Sequence, residues 1–404
     1  MEHWKRKFAI LGVGQAASML TSSILQIAIV WYLTERTGSP VIITMSTLAG
    51  FLPRAIVGLF SGSIIDRFNR KKVLIFSDMG IALAALSLSL VAFFTEIPIW
   101  FIFIILAIRS VGAAFHSPSL NAITPSIVPK EELARCAGVL QGFESVSLIL
   151  SPAIAGVLYN IWNLSFIVLL DVLGAGIAIT LVFILDIPSN VIKKTKEKLN
   201  IWKDTKEGLN IIRKEKGMMM IMVISTLYAF IYFPIGSMYP LITMTYFGGS
   251  ISDSSLVEII FSSGTLVGAL ILGIIGKKLH KIKAIACSIG IYGIGALITG
   301  IQSPDGIRIF MACSVVMGLT IPFFHGLRTA IFQSRIADEY LGRVLSFAYS
   351  ISMFSGPIGL LLGGSFSEIL GVNRCFMVCG ILAIILGVAM LFNIRPYNEA
   401  IKSN

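Results

Sequence analysis

Apolar stretches of about 20 residues, the length that a helix needs to cross a bilayer, recur along this whole sequence of 404 residues. Only helices and closed barrels satisfy all backbone polar groups within lipid, and stretches of this length indicate helices. The composition agrees, because 56% of the residues are hydrophobic and 13% are charged, too few to cover soluble domains. The sequence therefore predicts an all-α membrane protein with 12 transmembrane helices. The predicted spans are 8–33, 41–65, 73–94, 99–121, 135–159, 164–187, 218–246, 256–276, 284–302, 307–332, 343–366 and 374–394.

Lysine and arginine residues are distributed unevenly between the two sides of these spans. If the N-terminus is cytoplasmic, 26 of the 32 Lys and Arg residues fall in cytoplasmic ends and loops. Cytoplasmic loops of membrane proteins carry such an excess, so both termini are predicted to be cytoplasmic. The formal net charge of +11 then faces the anionic inner leaflet. The lipid bilayer is the expected partner of this charge, and no nucleic acid is expected.

The longest connection between spans divides the sequence into two parts. We predict a six-helix bundle over residues 1–187, a cytoplasmic linker over 188–217 and a second six-helix bundle over 218–404. Four apolar residues of the linker recur at helical spacing among lysines. This pattern predicts an amphipathic helix that lies on the membrane surface.

The two halves share a short sequence pattern. GSIIDRFNRKK at 62–72 aligns with GIIGKKLHKIK at 273–283, which keeps the glycine and the basic residues but lacks the aspartate. Two related six-span halves are typical of transporters in which one bundle rocks against the other around a midplane site. The repeat therefore favours a transporter.

Three motifs in the first half resemble motifs of the major facilitator superfamily. The polar turn between spans two and three resembles its motif A, and Arg109 to Gly112 in span four resembles its motif B. The glycine and proline pattern of span five resembles motif C, which is associated with drug:proton antiporters. Stretches such as ILQIAIVWYLTERTGS and IDRFNRKK are similar to bacterial macrolide-efflux permeases of this superfamily, along essentially the whole chain. The matching residues are Gly62, Asp66, Arg67, Arg70 and Lys71 in motif A, and Gly138, Ser151, Pro152 and Gly156 in motif C.

This resemblance implies the twelve-helix fold of the superfamily in the bacterial cytoplasmic membrane. It also implies export of macrolide antibiotics or related lipophilic drugs by proton antiport with alternating access. Motif A would act as a latch at the cytoplasmic face, with Asp66 facing the positive end of a neighbouring helix and the basic residues binding carboxylates or lipid headgroups. A basic turn that only follows the positive-inside distribution is the alternative.

Charged residues inside the predicted spans are candidates for proton coupling. Arg109 and Glu144 each lie near the middle of a span, where an isolated charge costs at least about 2.5 kcal/mol. We expect these two residues to pair, with Glu144 as the preferred proton carrier because its ionisation would respond to changes in that contact. A permanently ionised structural pair is the alternative. Asp171 in span six is the second candidate carrier, and Arg54 is expected to pair with Asp78.

The fold resemblance implies a substrate site where spans one, four, seven and ten meet. Polar residues form a stripe along span one, and aromatic residues cluster in spans seven and ten. Apolar walls with a few polar groups suit a large amphipathic drug, although helix packing is the ordinary role of such aromatic residues. The candidate substrate-binding residues are Gln15, Ser18, Ser22, Gln26, Arg109, His116, Tyr228, Tyr232, Phe323 and Phe324.

No motif for ATP hydrolysis or membrane-enzyme chemistry occurs in the sequence, which has no P-loop, no GxSxG and no metal-binding His/Cys cluster. We therefore expect no enzyme activity, no cofactor and no metal, and we expect a proton gradient to drive transport. A major facilitator carrier for a sugar, lipid or siderophore stays open, as does a non-transporting membrane protein. A separate ATPase subunit as a partner also stays open.

Overall fold

The computed structural model describes residues 3–65, 68–129, 132–186, 213, 216–335 and 338–392. Regular secondary structure in this part of the chain is helical throughout, which confirms the predicted all-α class. Within these ranges, side chains are described except at residues 3, 59–60, 62–63, 117, 121–122, 125, 133–135, 137–138, 141, 144–145, 216, 277, 332–335 and 338–353.

Twelve long helices follow one another through the described residues, and each coincides with one predicted span to within a few residues at most ends. They are α1 (His3–Thr37), α2 (Pro40–Ile65), α3 (Arg70–Phe94), α4 (Ile99–Ile127), α5 (Leu133–Ile161), α6 (Leu164–Ile184), α7 (Lys216–Ser237), α8 (Ile251–Ile275), α9 (Lys281–Ile301), α10 (Ile307–Arg335), α11 (Asp338–Leu370) and α12 (Val372–Phe392). Ten of these helices are long and apolar enough to cross a membrane. The apolar stretches described in α5 and α11 are shorter, at 146–161 and 354–370.

The predicted seventh span, 218–246, is wrong in one respect, because α7 ends at Ser237. A short helical turn at Tyr239–Leu241 and a π-helical turn at Ile242–Tyr246 follow it. Pro240 lies in the first of these turns and has no backbone N–H with which to extend the helical hydrogen bonds. Hydropathy does not reveal this break because the residues on both sides of it are apolar.

The chain packs into two compact units. The first consists of Met1–Thr37 and Met45–Lys198, and the second consists of Gly38–Thr44 and Leu199–Asn404. The predicted linker, 188–217, lies almost entirely outside the described residues. Its amphipathic helix and the domain limits therefore stay predictions.

Four helix pairs of the first unit have counterparts in the second unit. In the first unit, α1 packs on α5 and α6, and α3 packs on α4 and α6. In the second unit, α7 packs on α11 and α12, and α9 packs on α10 and α12. This correspondence is the one that an internal six-helix repeat predicts.

Glycines allow some of these helices to approach one another closely. A Cβ atom at Gly293 of α9 would lie 2.7 Å from the carbonyl oxygen of Gly380 in α12. A Cβ atom at Gly174 of α6 would overlap the side chain of Thr21 in α1. Small residues permit such approach between membrane helices, so Gly174 allows α1 to lie directly against α6.

Candidate functional site

A buried ion pair joins α4 to α6 in the first unit. Asp171 is fully buried and Arg109 is 8% exposed. Arg109 Nη1 donates a hydrogen bond to Asp171 Oδ2. Buried charges are stable in a protein only when they are paired and hydrogen-bonded, and this pair meets both conditions.

Hydroxyl groups of α1 complete the surroundings of this carboxylate. Ser22 Oγ donates to Asp171 Oδ1 over 2.7 Å, and Thr21 Oγ1 lies 3.5 Å from the same oxygen. Both carboxylate oxygens therefore have a donor. The close packing at Gly174, one turn along α6, places Thr21 beside this carboxylate. The Asp171 site thus joins three helices, α1, α4 and α6.

The partner of Arg109 differs from the one that the sequence favoured. We expected Glu144 as its partner, and the structure pairs it with Asp171, the second candidate carrier. The side chain of Glu144 lies outside the described residues. The proton-coupling roles of Glu144, Arg109 and Asp171 stay predictions.

A buried hydrogen-bonded contact between a histidine and a carboxylate joins α3 to α4. His116 Nδ1 lies 2.6 Å from Asp78 Oδ1, and the Asp78 side chain is 2% exposed. The predicted pairing of Asp78 with Arg54 is therefore wrong. The backbone N–H of Arg54 donates to Ser110 Oγ over 2.9 Å, which links α2 to α4.

The polar stripe of α1 is divided between different environments. Gln15 is fully buried, and neither atom of its amide has a hydrogen-bond partner among the described residues. Ser18 is also buried, whereas Gln26 is half-buried and faces Gly50 of α2. Ser22 belongs to the Asp171 site, so only part of the stripe is available to a substrate.

Aromatic side chains of α7, α9 and α10 form a cluster inside the second unit. The ring centroid of Tyr228 lies 4.5 Å from that of Phe324, 6.0 Å from that of Tyr232 and 5.7 Å from that of Tyr292. The prediction placed Tyr228, Tyr232 and Phe324 at one site, and the structure brings these three together. Tyr292 was missed because only spans one, four, seven and ten were searched. Its hydroxyl has no hydrogen-bond partner among the described residues.

Phe323 lies apart from the Tyr228, Tyr232 and Phe324 rings with which it was predicted to act. It lines a groove between α8, α9 and α10 and is half-buried there. Successive residues of a helix point in different directions, about 100° apart, so Phe323 and Phe324 serve different surfaces. The sequence alone did not separate these two neighbouring rings.

The motif A residues are only partly described. Asp66 and Arg67 lie outside the described residues, as do the surroundings of Gly62 in α2. Lys71 Nζ donates to the backbone carbonyls of Phe183 and Leu185, at 2.9 and 2.7 Å. These contacts are with the carboxyl end of α6 rather than with the carboxylate or lipid headgroup that we expected. Arg70 begins α3, and the latch itself stays a prediction.

The described part of motif C is a packed surface of α5. Ser151, Pro152 and Gly156 are buried, and Ser151 Oγ donates to the backbone carbonyl of Ser147 one turn earlier. The surroundings of Gly138 lie outside the described residues. The buried small residues fit a helix-packing role for this segment.

Nearly the whole chain matches the family model of the Major Facilitator Superfamily, over residues 11–242 and 221–404. The chain is 44% identical over 386 residues to macrolide efflux protein A of Streptococcus pyogenes, which covers 96% of this chain and 95% of that protein. It is 45% identical over 323 residues to macrolide efflux protein A of Enterococcus faecalis, covering 80% of this chain and all of that protein. The solved structure of the nucleoside transporter NupG shares the fold, with a TM-score of 0.77 at 11% identity over 95% of this chain and 98% of that one. The chain therefore belongs to the Major Facilitator Superfamily and is a multi-pass protein of the cell membrane.

Proposed function

We propose that this protein exports macrolide antibiotics across the cell membrane in exchange for protons. The substrate class is supported by the two relatives named macrolide efflux protein A, which are 44% and 45% identical to this chain. The observation that carries the proton exchange is the buried Arg109–Asp171 pair with its hydroxyl donor Ser22. Intramembrane ionisable groups of this kind mark proton and ion pathways in transporters.

Protonation of Asp171 gives the site a way to change the preferred conformation. A proton that binds the carboxylate neutralises it and leaves the Arg109 cation without its counter-charge. Removing one partner of a buried pair costs about 3–5 kcal/mol. A shift of a two-state equilibrium from 1:99 to 99:1 needs about 5.5 kcal/mol, so one proton at Asp171 supplies most of that difference.

The aromatic cluster of the second unit is the proposed contact for the apolar face of the macrolide. Tyr228, Tyr232, Tyr292 and Phe324 pack against one another and carry three hydroxyl groups, and Tyr232 is the half-buried member of the four. Sites for large amphipathic ligands combine such apolar walls with a few polar groups. In the first unit, the buried amide of Gln15 offers both a donor and an acceptor.

The proposed cycle links proton entry to drug exit. A proton from outside binds Asp171 and favours the inward-open state, in which the drug binds from the cytoplasm. Release of the proton to the cytoplasm restores the Arg109–Asp171 pair and favours the outward-open state, from which the drug leaves. Ligands shift conformational populations only by their different affinities for the two states, and here the proton and the drug provide those differences.

Everted membrane vesicles that hold a proton gradient test this proposal. The wild type should accumulate radiolabelled erythromycin, and collapse of the gradient with nigericin should stop that accumulation. Asp171→Asn should lose gradient-driven accumulation but keep erythromycin exchange across the vesicle membrane, because exchange needs no net proton movement.

Glu144→Gln is the matched control, because it removes the other candidate carboxylate. We expect this variant to keep gradient-driven accumulation. The reverse pattern, with Glu144→Gln inactive and Asp171→Asn active, would assign the carrier to Glu144. Wild-type vesicles that accumulate no macrolide would overturn the substrate class.

A further inference from the structure

An apolar groove, the α8–α10 groove, lies between α8, α9 and α10 in the second unit. Its volume is about 590 Å³. Ile271 of α8, Cys287 and Ile291 of α9, and Val316 and Phe323 of α10 are among the residues that line it. Its chemistry suits a hydrocarbon chain.

The α8–α10 groove opens on the surface of the unit rather than into its core. Ile271 is 38% exposed, Ile291 is 43% exposed and Val316 is 41% exposed. On the same stretch of α8, Leu270 and Ile274 are 61% and 79% exposed. In a membrane protein, exposed apolar side chains of spanning helices are the ones that meet lipid. The groove therefore faces the acyl chains of the bilayer.

The length of the groove matches part of one leaflet. Lys283 at its polar end and Ile291 deeper in the membrane are eight residues apart in α9, which is about 12 Å along the helix axis. One leaflet contributes about 15 Å to the hydrocarbon core. An acyl chain can therefore lie along the groove while its headgroup stays at the polar end.

Basic residues lie at and beside that polar end. His280 and Lys283 line the groove, and Lys278 and Lys281 are their sequence neighbours. The sequence contains one acidic residue between Glu258 and Asp338, and this residue, Asp305, lies in the turn at the far ends of α9 and α10. None of the residues that line the groove is acidic, so a cationic drug finds no counter-charge among them, whereas an anionic headgroup finds Lys283 and its neighbouring lysines.

The amino end of α9 adds to this attraction. Helix N-termini favour anions because of their free N–H groups and the helix dipole. α9 has 21 residues, and His280 accepts a hydrogen bond from Lys283 N over 3.4 Å at this end. The segment is the second-half copy of motif A, and it carries Lys277 at the position that aligns with Asp66. The copy has thus replaced the acidic residue of the motif by a cation.

We infer that the α8–α10 groove binds a glycerophospholipid with an anionic headgroup, of the phosphatidylglycerol class. Its acyl chain lies against Ile271, Ile291 and Val316, and its phosphate lies at Lys281, Lys283 and the amino end of α9. This lipid site is independent of the proposed drug and proton sites. It gives the second unit an anchor to one leaflet of the membrane.

Cys287 provides a probe at this site, because it is the exposed cysteine and the other four cysteines are buried. A small bimane fluorophore on Cys287 should be quenched by brominated acyl chains in reconstituted vesicles. Brominated phosphatidylglycerol should quench it more strongly than brominated phosphatidylcholine at the same mole fraction.

Charge removal tests the headgroup contact. A surface lysine contributes about 1 kcal/mol of attraction to anionic lipid, which is about fivefold in binding. Lys281→Gln and Lys283→Gln should each lower the preference for the anionic lipid about fivefold, and together about 25-fold. Lys5→Gln with Arg6→Gln removes two exposed cations from α1 and should leave the preference unchanged.

Groove filling tests the acyl-chain contact. Ile291→Trp should reduce quenching by both brominated lipids because the ring occupies the groove. Ile294→Trp is the matched control, since Ile294 is 48% exposed on the same helix but is not among the groove-lining residues.

Three results would overturn the inference. Equal quenching of the wild type by the two brominated lipids would show ordinary contact with surrounding lipid. An equal loss of preference in the Lys5→Gln/Arg6→Gln control would show a general effect of surface charge. Relief of quenching by erythromycin would assign the groove to the transported drug.

Discussion

The first unit and the second unit share four corresponding helix pairs, but they bury different chemistry. The first holds Arg109 with Asp171 and His116 with Asp78. The second holds an aromatic cluster centred on Tyr228. A repeated backbone therefore fixes which helices touch and leaves the interior side chains free to diverge. This difference favours a division in which one unit handles the proton and the other contacts the drug.

The largest expected effect lies in the ion pair of the first unit. Asp171→Asn should lower the free energy of unfolding by about 3–5 kcal/mol, because Arg109 stays buried without a counter-charge. The double variant Arg109→Gln/Asp171→Asn should recover most of that stability but not gradient-driven transport. Thermal unfolding in detergent measures the first effect. A single variant as stable as the wild type would show that the pair contributes nothing to the fold.

The next effect concerns the aromatic cluster of the second unit. Tyr232→Ala removes a half-buried ring, and we expect a loss of about 1.5–3 kcal/mol of apolar contact with the macrolide. This loss corresponds to binding that is about 10- to 100-fold weaker. Tyr232→Phe keeps the ring and should bind almost as the wild type does. Equilibrium binding of labelled erythromycin measures both, and unchanged binding by Tyr232→Ala would reduce the cluster to helix packing.

A smaller effect separates two glycines of α6. Gly174→Ala forces a methyl group into Thr21, whose hydroxyl lies 3.5 Å from Asp171, and overpacking of this kind costs about 1–3 kcal/mol. A Cβ atom at Gly176 would meet no described atom within 4 Å, so Gly176→Ala should be neutral or slightly stabilising. The unfolding temperature and gradient-driven transport should both fall in Gly174→Ala and should not fall in Gly176→Ala. If Gly174→Ala and Gly176→Ala have the same unfolding temperature and transport activity, α1 can move to accommodate the added methyl group at little cost.

The smallest effect compares two neighbouring lysines at the start of α3, Lys71 and Lys72. Lys71 binds carbonyls at the carboxyl end of α6, so Lys71→Gln should cost about 0.3–1 kcal/mol of stability. Lys72→Gln removes an exposed neighbour and should cost less. Thermal unfolding at low and high salt measures the difference, which salt should reduce. A larger loss from Lys72→Gln would contradict the structural role of Lys71.

Most of the fold followed from the sequence, because the bilayer sets both the length and the composition of a spanning helix. The ends of the twelve predicted spans lie within about six residues of the ends of α1 to α12, except at the end of α7. That break depends on Pro240 and the π-helical turn after it, which leave hydropathy unchanged. Local backbone geometry within an apolar segment is therefore the part of the fold that hydropathy does not report.

The site was less predictable, because pairing depends on depth and helix rotation as well as on charge. Arg109 lies ten residues from the start of α4, and Asp171 lies seven residues from the start of α6, so the two helices carry them to similar depths from a common side. Glu144 lies 17 residues from the end of α5 on that side, about 10 Å deeper than Arg109. Counting each charge from a common membrane face would have favoured Asp171 over Glu144. Counting residues from the membrane face does not distinguish Phe323 from Phe324, because these neighbours lie at nearly the same depth. They differ in the direction in which each side chain leaves the helix.

Gln15 has a practical consequence for work on this transporter. An amide buried without hydrogen bonds costs about 1–3 kcal/mol by mutational measures, and neither amide atom of Gln15 has a partner among the described residues. Replacement of Gln15 by leucine or methionine, which have a similar volume, should therefore give a more stable protein for crystallisation. Gln15 also lies on the polar stripe that is proposed to contact the substrate. The same replacement should therefore raise stability and lower the transport rate.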